Sequence, residues 1–519
     1  MSRRSFVPTS LAPIAALALL IACKPEPVVT PPDGGDGQTT TGEPETDPDQ
    51  AAKAREAAEK RAKLELLDPL PGVSAPAPVE LPEALISTLD NGLELIVLVD
   101  HESPLVEISL RVRAGEIYDP ADKLTVAGMT AALLTEGTTK HDKVALDQRI
   151  DRTGGSMSSG AQDELASLGA TLLSEDLGTG LELIAEQVQF PAFPADSLTK
   201  LQDQQIQGVR AAKGNPQVLA STLAGRIIYG EVSPYGRMFP SDAQIKALTR
   251  DDVVAFHQRH YVPNNAMLIV SGDVDPKQVD KLVRKHFGKW AKGDAVATPL
   301  AKTTPPSEPI VHIIDRKASA QANIYVIAAG PKVGEPGWLE LQVLDSVLSG
   351  GTMSTRLNFV LREQLGLTYG ASSYYDYGFD GGMFVAGGGT KNKTADQFAG
   401  ALVELVYGLG DARLADTELA RVQGMVSGVF ARTAEGVGAA TELTALIRLY
   451  GLPADFWARY RSDVAAMSSD RLLAQAKQTF DRDHLQIVAV GKAKELGQQL
   501  AGFGKIRVYD TDLIPVEAQ

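Results

Sequence analysis

From about Pro82 the chain alternates short apolar runs with longer amphipathic stretches, the pattern of strands exchanging with helices. Leu93–Val99 (LELIVLV) follows an Asp90-Asn91-Gly92 turn, and Leu105–Arg113 (LVEISLRVR) alternates apolar and polar residues as a half-buried strand does. The stretch NGLELIVLVDHESPLVEISLRVRAGE that contains both is read as a hairpin. Apolar helical segments follow at Val126–Leu134 and Leu181–Val188. A long polar helix is expected over Ala195–Ala212, ending before Gly214-Asn215-Pro216.

An internal repeat divides the patterned region. Thr249–Asp273 (TRDDVVAFHQRHYVPNNAMLIVSGD) and Ser468–Lys492 (SSDRLLAQAKQTFDRDHLQIVAVGK) align without a gap. Asp251 meets Asp470, Ala255 meets Ala474, Tyr261 meets Phe480, Ile269 meets Val488 and Gly272 meets Gly491. Each copy reads as a helix, a turn, and a strand ending in glycine. The Pro/Thr-rich stretch Thr298–Pro309 falls where a join between duplicated halves is needed. The expected fold class is α+β: two homologous domains, residues 81–298 and 310–519, joined by a linker at 299–309.

The beginning of the chain follows other rules. Arg3 and Arg4 precede an apolar run from Leu11 to Ala22 that is too short to span a bilayer as a helix. Leu20-Ile21-Ala22-Cys23 resembles a bacterial lipobox, with residues 1–22 the signal peptide and Cys23 the lipidated residue. Residues 23–80 then read as a lipidated cysteine, a Pro/Gly/Thr-rich tether that buries too little to order itself, and a charged spacer helix at Ala51–Leu67. The expected location is the bacterial envelope, at the outer membrane facing the periplasm. The whole chain of 519 residues carries a net charge of −15, which disfavours nucleic acid as a partner. Its single cysteine excludes an intramolecular disulfide and a Cys-rich metal site.

Read in order, several segments resemble the pitrilysin/insulinase metallopeptidases, the family that includes the mitochondrial processing peptidase. They are NGLELIVLVDHESPLVEISLRVRAGE, Glu136-Gly137-Thr138 closing an apolar helix, Gly154-Gly155, FPAF before the long polar helix, PYGR at Pro234–Arg237, and HQRHYVPNNAMLIVSGDV at His257–Val274. Active members carry His-x-x-Glu-His on the helix that ends in Gly-Thr: two imidazoles ligate zinc, and the glutamate acts as general base on its water. Counted back from Gly137-Thr138, those positions here are Gly128, Ala131 and Ala132, and the distant third ligand falls at Gly208. None can bind a metal or accept a proton. His257 and His260 could share a helical face but have no carboxylate between them, and read as solvated or partly packed histidines.

The second half keeps a different feature. In Gly350–Tyr369 (GGTMSTRLNFVLREQLGLTY), Arg362 and Tyr369 hold the spacing of a family Arg/Tyr pair that reaches bound substrate. The competing reading pairs Arg362 with Glu363 or a surface acid and packs Tyr369 in the core. Ser158 stands near an edge-strand position where active members carry Asn, a change that leaves backbone strand addition possible. Glycines through Gly378–Gly389 are expected to let strands turn or approach closely. The resemblance implies a non-catalytic, membrane-anchored subunit. It would close a peptide chamber, supply Arg362 and Tyr369, hold no cofactor itself, and support metalloendopeptidase activity in a hetero-oligomer with a zinc-bearing partner. The alternative is a scaffold of the same fold with no part in proteolysis.

Overall fold

The computed structural model describes residues 83–300, 306–350, 355–435 and 437–516. The lipobox, Cys23, the tether and the expected spacer helix lie outside the described residues.

In the N-terminal half, β1 (Ala84–Thr88), β2 (Glu94–Val99), β3 (Leu105–Val112), β4 (Ser156–Ala161), β5 (Ala166–Leu173) and β6 (Ala266–Gly272) form a sheet of order β1-β2-β6-β3-β5-β4. Its helices are α1 (Val126–Leu133), α2 (Lys143–Asp151), α3 (Leu177–Gln189), α4 (Ala195–Gly214), α5 (Pro216–Tyr229), α6 (Asp242–Ala247), α7 (Arg250–His260) and α8 (Pro276–Phe287). The C-terminal half carries β7 (Ile310–Asp315), β8 (Gln321–Gly330), β9 (Ala371–Gly378), β10 (Gly381–Lys391), β11 (Gln486–Gly491), β12 (Lys505–Tyr509) and β13 (Pro515–Val516), in the order β13-β12-β7-β11-β8-β10-β9. Its helices are α9 (Trp338–Ser349), a π-helix at Asn358–Gln364, α10 (Ala395–Tyr407), α11 (Asp416–Thr433), α12 (Val437–Tyr450), α13 (Phe456–Ala465), α14 (Ser469–Thr479) and α15 (Ala493–Leu500).

The halves share a plan. The runs β2-β6-β3-β5-β4 and β7-β11-β8-β10-β9 correspond strand for strand, each with one parallel pair (β2 with β6, β7 with β11) and antiparallel neighbours beyond. The sequence repeat is α7–β6 matched to α14–β11.

The expected hairpin between the second and third strands does not form. β6 lies between them, parallel to β2 and antiparallel to β3. The connection crosses the end of β6, with Asp100 N–H donating to the Gly272 carbonyl at 2.9 Å and Asp273 N–H to that of Leu105 at 3.0 Å. The Asp90-Asn91-Gly92 turn instead closes β1 onto β2, with Gly92 at φ 87° and its N–H donating to the Leu89 carbonyl. Both faces of β2 are apolar because both are covered.

Alternate residues serve the two faces. Leu95, Val97, Leu268 and Val270 point into the core beneath the half's own helices. Ile96, Leu98, Met267 and Ile269 point the other way and meet Ala440, Ala445 and Leu449 of α12, a helix from the other half. The C-terminal sheet is treated in kind: Ile314, Tyr325, Ile327, Val488 and Val490 meet Leu219, Leu223 and Ile228 of α5. Each half therefore lends one helix to the other's sheet. Helix α5 can start at once after α4 because the Asn215 side chain accepts from Gln217 N–H and Pro216 occupies the first turn, where a missing N–H is harmless.

Candidate functional site

Helix α1 begins under an acidic clasp. The Asp119 carboxylate accepts from Thr125 N–H at 2.6 Å and Ala127 N–H at 2.8 Å, satisfying first-turn amides, while Thr125 sits at φ 74°. Gly128 and Ala132 follow four residues apart on one half-buried face, and Ala131 is fully buried. The Ala131 carbonyl accepts from Ser159 Oγ of β4 at 2.8 Å, which fixes the helix against the edge strand. Helix α4 packs against α1 and exposes Gly208. A Cβ at Gly128 or Gly208 would meet nothing within 4 Å. Room for longer side chains exists, but Gly128, Ala131, Ala132 and Gly208 offer no donor. Zinc needs nitrogen, sulfur or carboxylate oxygen ligands, so these residues do not fit it. No group of three or more His, Cys, Asp or Glu that could hold a metal occurs among the described residues.

His257 and His260 are packed rather than solvated. His257 Nε2–H donates to the Val188 carbonyl at 2.8 Å, and His260 stacks on Phe256 at 4.3 Å between ring centroids. Burial pushes both imidazoles down to about 4, so both are neutral at pH 7.

Arg362 and Tyr369 both lie in the connection from α9 to β9. Arg362 lies in the last turn of the π-helix, partly exposed, with Nε 3.4 Å from Glu363 Oε1. Tyr369 is 88% exposed, so the alternative that buries it in the core is set aside. Its loop is pinned: Thr368 Oγ1 donates toward the Gly370 and Gly389 carbonyls at 2.8 and 2.7 Å, and Asn358 Oδ1 accepts from Ala371 N–H. Leu357 and Leu361 anchor the π-helix in the core, while Phe359 and Leu365 are half exposed beside the pair. Ser158 lies in β4, the edge of the N-terminal sheet.

The seam between the halves holds a feature that no single segment of sequence announces. Tyr235 of the PYGR motif donates its hydroxyl to Glu164 Oε1 at 2.7 Å and accepts from Phe379 N–H, in the β9–β10 turn, at 3.1 Å. Tyr450 of α12 bonds the same carboxyl. Arg237 donates to the carbonyls of Glu116 and Asp119, each at 2.6 Å, which fixes PYGR within the N-terminal half while Tyr235 ties it to the other. Burial, with Asp163 and Asp376 adding repulsion, raises Glu164 to about 8. Asp376, from the other half, rises to about 7 through burial and the charge of Asp163.

The chain matches the family described as "Insulinase (Peptidase family M16)" over residues 95–227, and "Peptidase M16 inactive domain" over residues 247–425. It is 24% identical over 333 residues to the uncharacterized zinc protease YmxG of Bacillus subtilis (strain 168), covering 64% of this chain and 80% of that one. An uncharacterized zinc protease of Rickettsia bellii (strain RML369-C) is 24% identical over 340 residues, covering 65% and 81%. Among solved structures, a peptidase M16 inactive domain from Pseudomonas fluorescens superposes with TM-score 0.72 and 24% identity, covering 79% of this chain and 98% of that one. A protease from Helicobacter pylori gives TM-score 0.73 and 20% identity over 79% and 100%. The chain belongs to the M16 peptidase family, the pitrilysin/insulinase group, and has its two-domain α+β fold. Within it, this is a homologue without the zinc motif.

Proposed function

We propose that this chain is a non-catalytic subunit of an M16-type zinc peptidase. It is inactive alone, closes the peptide chamber of a zinc-bearing partner chain, and presents Arg362 and Tyr369 to the bound peptide. The observation that carries the reading is an asymmetry. Gly128, Ala131, Ala132 and Gly208 leave the metal positions without a donor, whereas Arg362, on the π-helix, and Tyr369, on the pinned loop after it, stand partly or largely exposed. A guanidinium and a phenol can both donate to a peptide carbonyl or to the oxygen that gains charge when it is attacked. The lipobox-like ending at Cys23 supports tethering to the envelope, at the outer membrane facing the periplasm. No helix among the described residues is long and apolar enough to cross a membrane.

The test has two arms. Purified chain with Cys23→Ser is expected to hold no stoichiometric zinc, and one tightly held zinc per chain would overturn the reading. Paired with a chain that carries an intact His-x-x-Glu-His motif, Arg362→Ala should lower peptide turnover at least tenfold while the pair still assembles. Unchanged turnover would leave a scaffold as the better description.

A further inference from the structure

On β3, residues Glu107, Ser109 and Arg111 point away from the core of their own half, onto the face that α12 covers farther along the sheet. Register aligns Glu107 with Thr171 of β5 and Ser156 of β4, and Ser109 with Gly169 and Ser158. These small hydroxylated residues frame a pocket of about 130 Å³ whose floor dips at Gly169. A water takes about 30 Å³ of liquid volume, so the pocket has room for a handful of heavy atoms.

The charges in it do not balance. Arg111 is committed, with Nη2 bonded to Glu442 of α12 and Nε donating to Ser109 Oγ at 2.8 Å. Glu107 is half-buried, and its carboxyl makes no hydrogen bond with any described residue. Gly438 of α12 runs past it without a side chain; a Cβ there would lie 3.1 Å from Glu107 Oε2. Burial, the neighbouring Glu442 carboxylate and, in opposition, Arg111 leave the Glu107 carboxyl above its ordinary range. A carboxylate withdrawn from water without a partner is unfavourable, and it becomes favourable when a cation arrives.

We propose that this pocket binds a primary ammonium group, with Glu107 as its counter-ion and the serine and threonine hydroxyls as its remaining acceptors. An ammonium has three N–H donors, which suits one carboxylate and two hydroxyls. No aromatic ring lines the pocket, so it lacks the cage that a quaternary ammonium needs. No metal-competent group of side chains occurs there among the described residues. Ser156 and Ser158 belong to β4, the edge strand, where an extended peptide can add by backbone pairing. The amine is accordingly that of a peptide, from its N-terminus or a lysine side chain; this assignment of the source rests on the peptide-binding reading above, while the pocket itself does not.

The test uses the full chain with Cys23→Ser and three twelve-residue Ala/Ser peptides labelled at the C-terminus. One has a free α-amine, one is N-acetylated, and one is N-acetylated with a single central lysine. By fluorescence anisotropy the free-amine peptide should bind at least tenfold more tightly than the acetylated one. Glu107→Gln should erase that gap without lowering the melting temperature, because it removes an unpaired charge at constant shape. Tight binding of the third peptide would add the lysine side chain as a source of the group. Equal binding of free and acetylated peptides, or a gap that survives Glu107→Gln, overturns the pocket. Should no peptide bind, n-butylammonium chloride decides: a rise in melting temperature in the parent chain but not in Glu107→Gln upholds the pocket and sinks the peptide source, and no rise sinks both.

Discussion

Gly128 sits in the first turn of α1 and Gly208 in an interior turn of α4, and in a helix glycine gives up more backbone entropy than any other residue and packs nothing. Neither has a left-handed φ, and an added Cβ at either meets open space. Gly128→Ala and Gly208→Ala should therefore each stabilise the chain, by about 0.5–1 kcal/mol in urea denaturation. A loss at either position would mean that the helix cannot accept even a methyl group. Both positions thus offer a metal no donor, in sequence and in space alike. Tyr235 is the opposite case. Its ring packs in the core, but its hydroxyl serves a buried carboxyl and a backbone N–H from different halves. Tyr235→Phe removes both bonds and should cost about 1–3 kcal/mol in the same assay. From sequence, PYGR was visible only as a family fragment, since its partners Glu164 and Phe379 lie far along the chain.

Among the elements, most of what alternates locally could be read in advance. Val126–Leu133, Ala195–Gly214 and the duplicated helix–strand unit reflect 3.6- and 2-residue periods that need no knowledge of the remainder. The insertion of β6 between β2 and β3 could not, because β6 arrives about 160 residues after β3 and pairing partners leave no trace in a strand's own pattern. The exchange of α5 and α12 was equally hidden: each is apolar on its packing face, as any core helix is. Its consequence can be measured. Leu449 of α12 and Leu223 of α5 are 3% and 1% exposed, each against the other half's sheet. Leu449→Ala and Leu223→Ala should each cost about 2–5 kcal/mol. Because the lent helices tie the sheets together, calorimetry should show a single transition moving down in both variants. Splitting into two transitions would show that the halves unfold independently.

For the whole molecule, the buried carboxyls dictate how stability responds to pH. Glu164 is held up at about 8, and Asp119, Asp345 and Asp376 at about 7, with burial the largest cause in each. In the unfolded chain such groups ionise near 4, so between about pH 5 and 8 the folded state holds more protons than the unfolded one. Their contribution is complete below pH 4 and is lost as pH climbs through 7 and 8. Three histidines act in the other direction. Burial lowers His257, His260 and His312 to about 4, so the unfolded chain binds more protons until about pH 6.5, and their contribution grows up to that point. Glu186 adds to the loss at acid pH: burial raises it, but hydrogen bonds from Thr138 and His141 outweigh that and leave it lowered. Four carboxyls outnumber three histidines, so the net slope is already downward from about pH 5 and steepens above pH 6.5, where the histidines no longer offset it. The melting temperature should therefore fall from pH 6.5 to 8.5, each titrating carboxyl contributing up to about 1.4 kcal/mol per pH unit. Glu164→Gln keeps an acceptor for Tyr235 and cannot ionise, so it should flatten that fall by roughly one proton's worth. A melting temperature that holds level or rises from pH 6.5 to 8.5 would mean that the seam carboxyls are already charged at neutral pH, and that Tyr235 and Tyr450 hold the halves together against their repulsion.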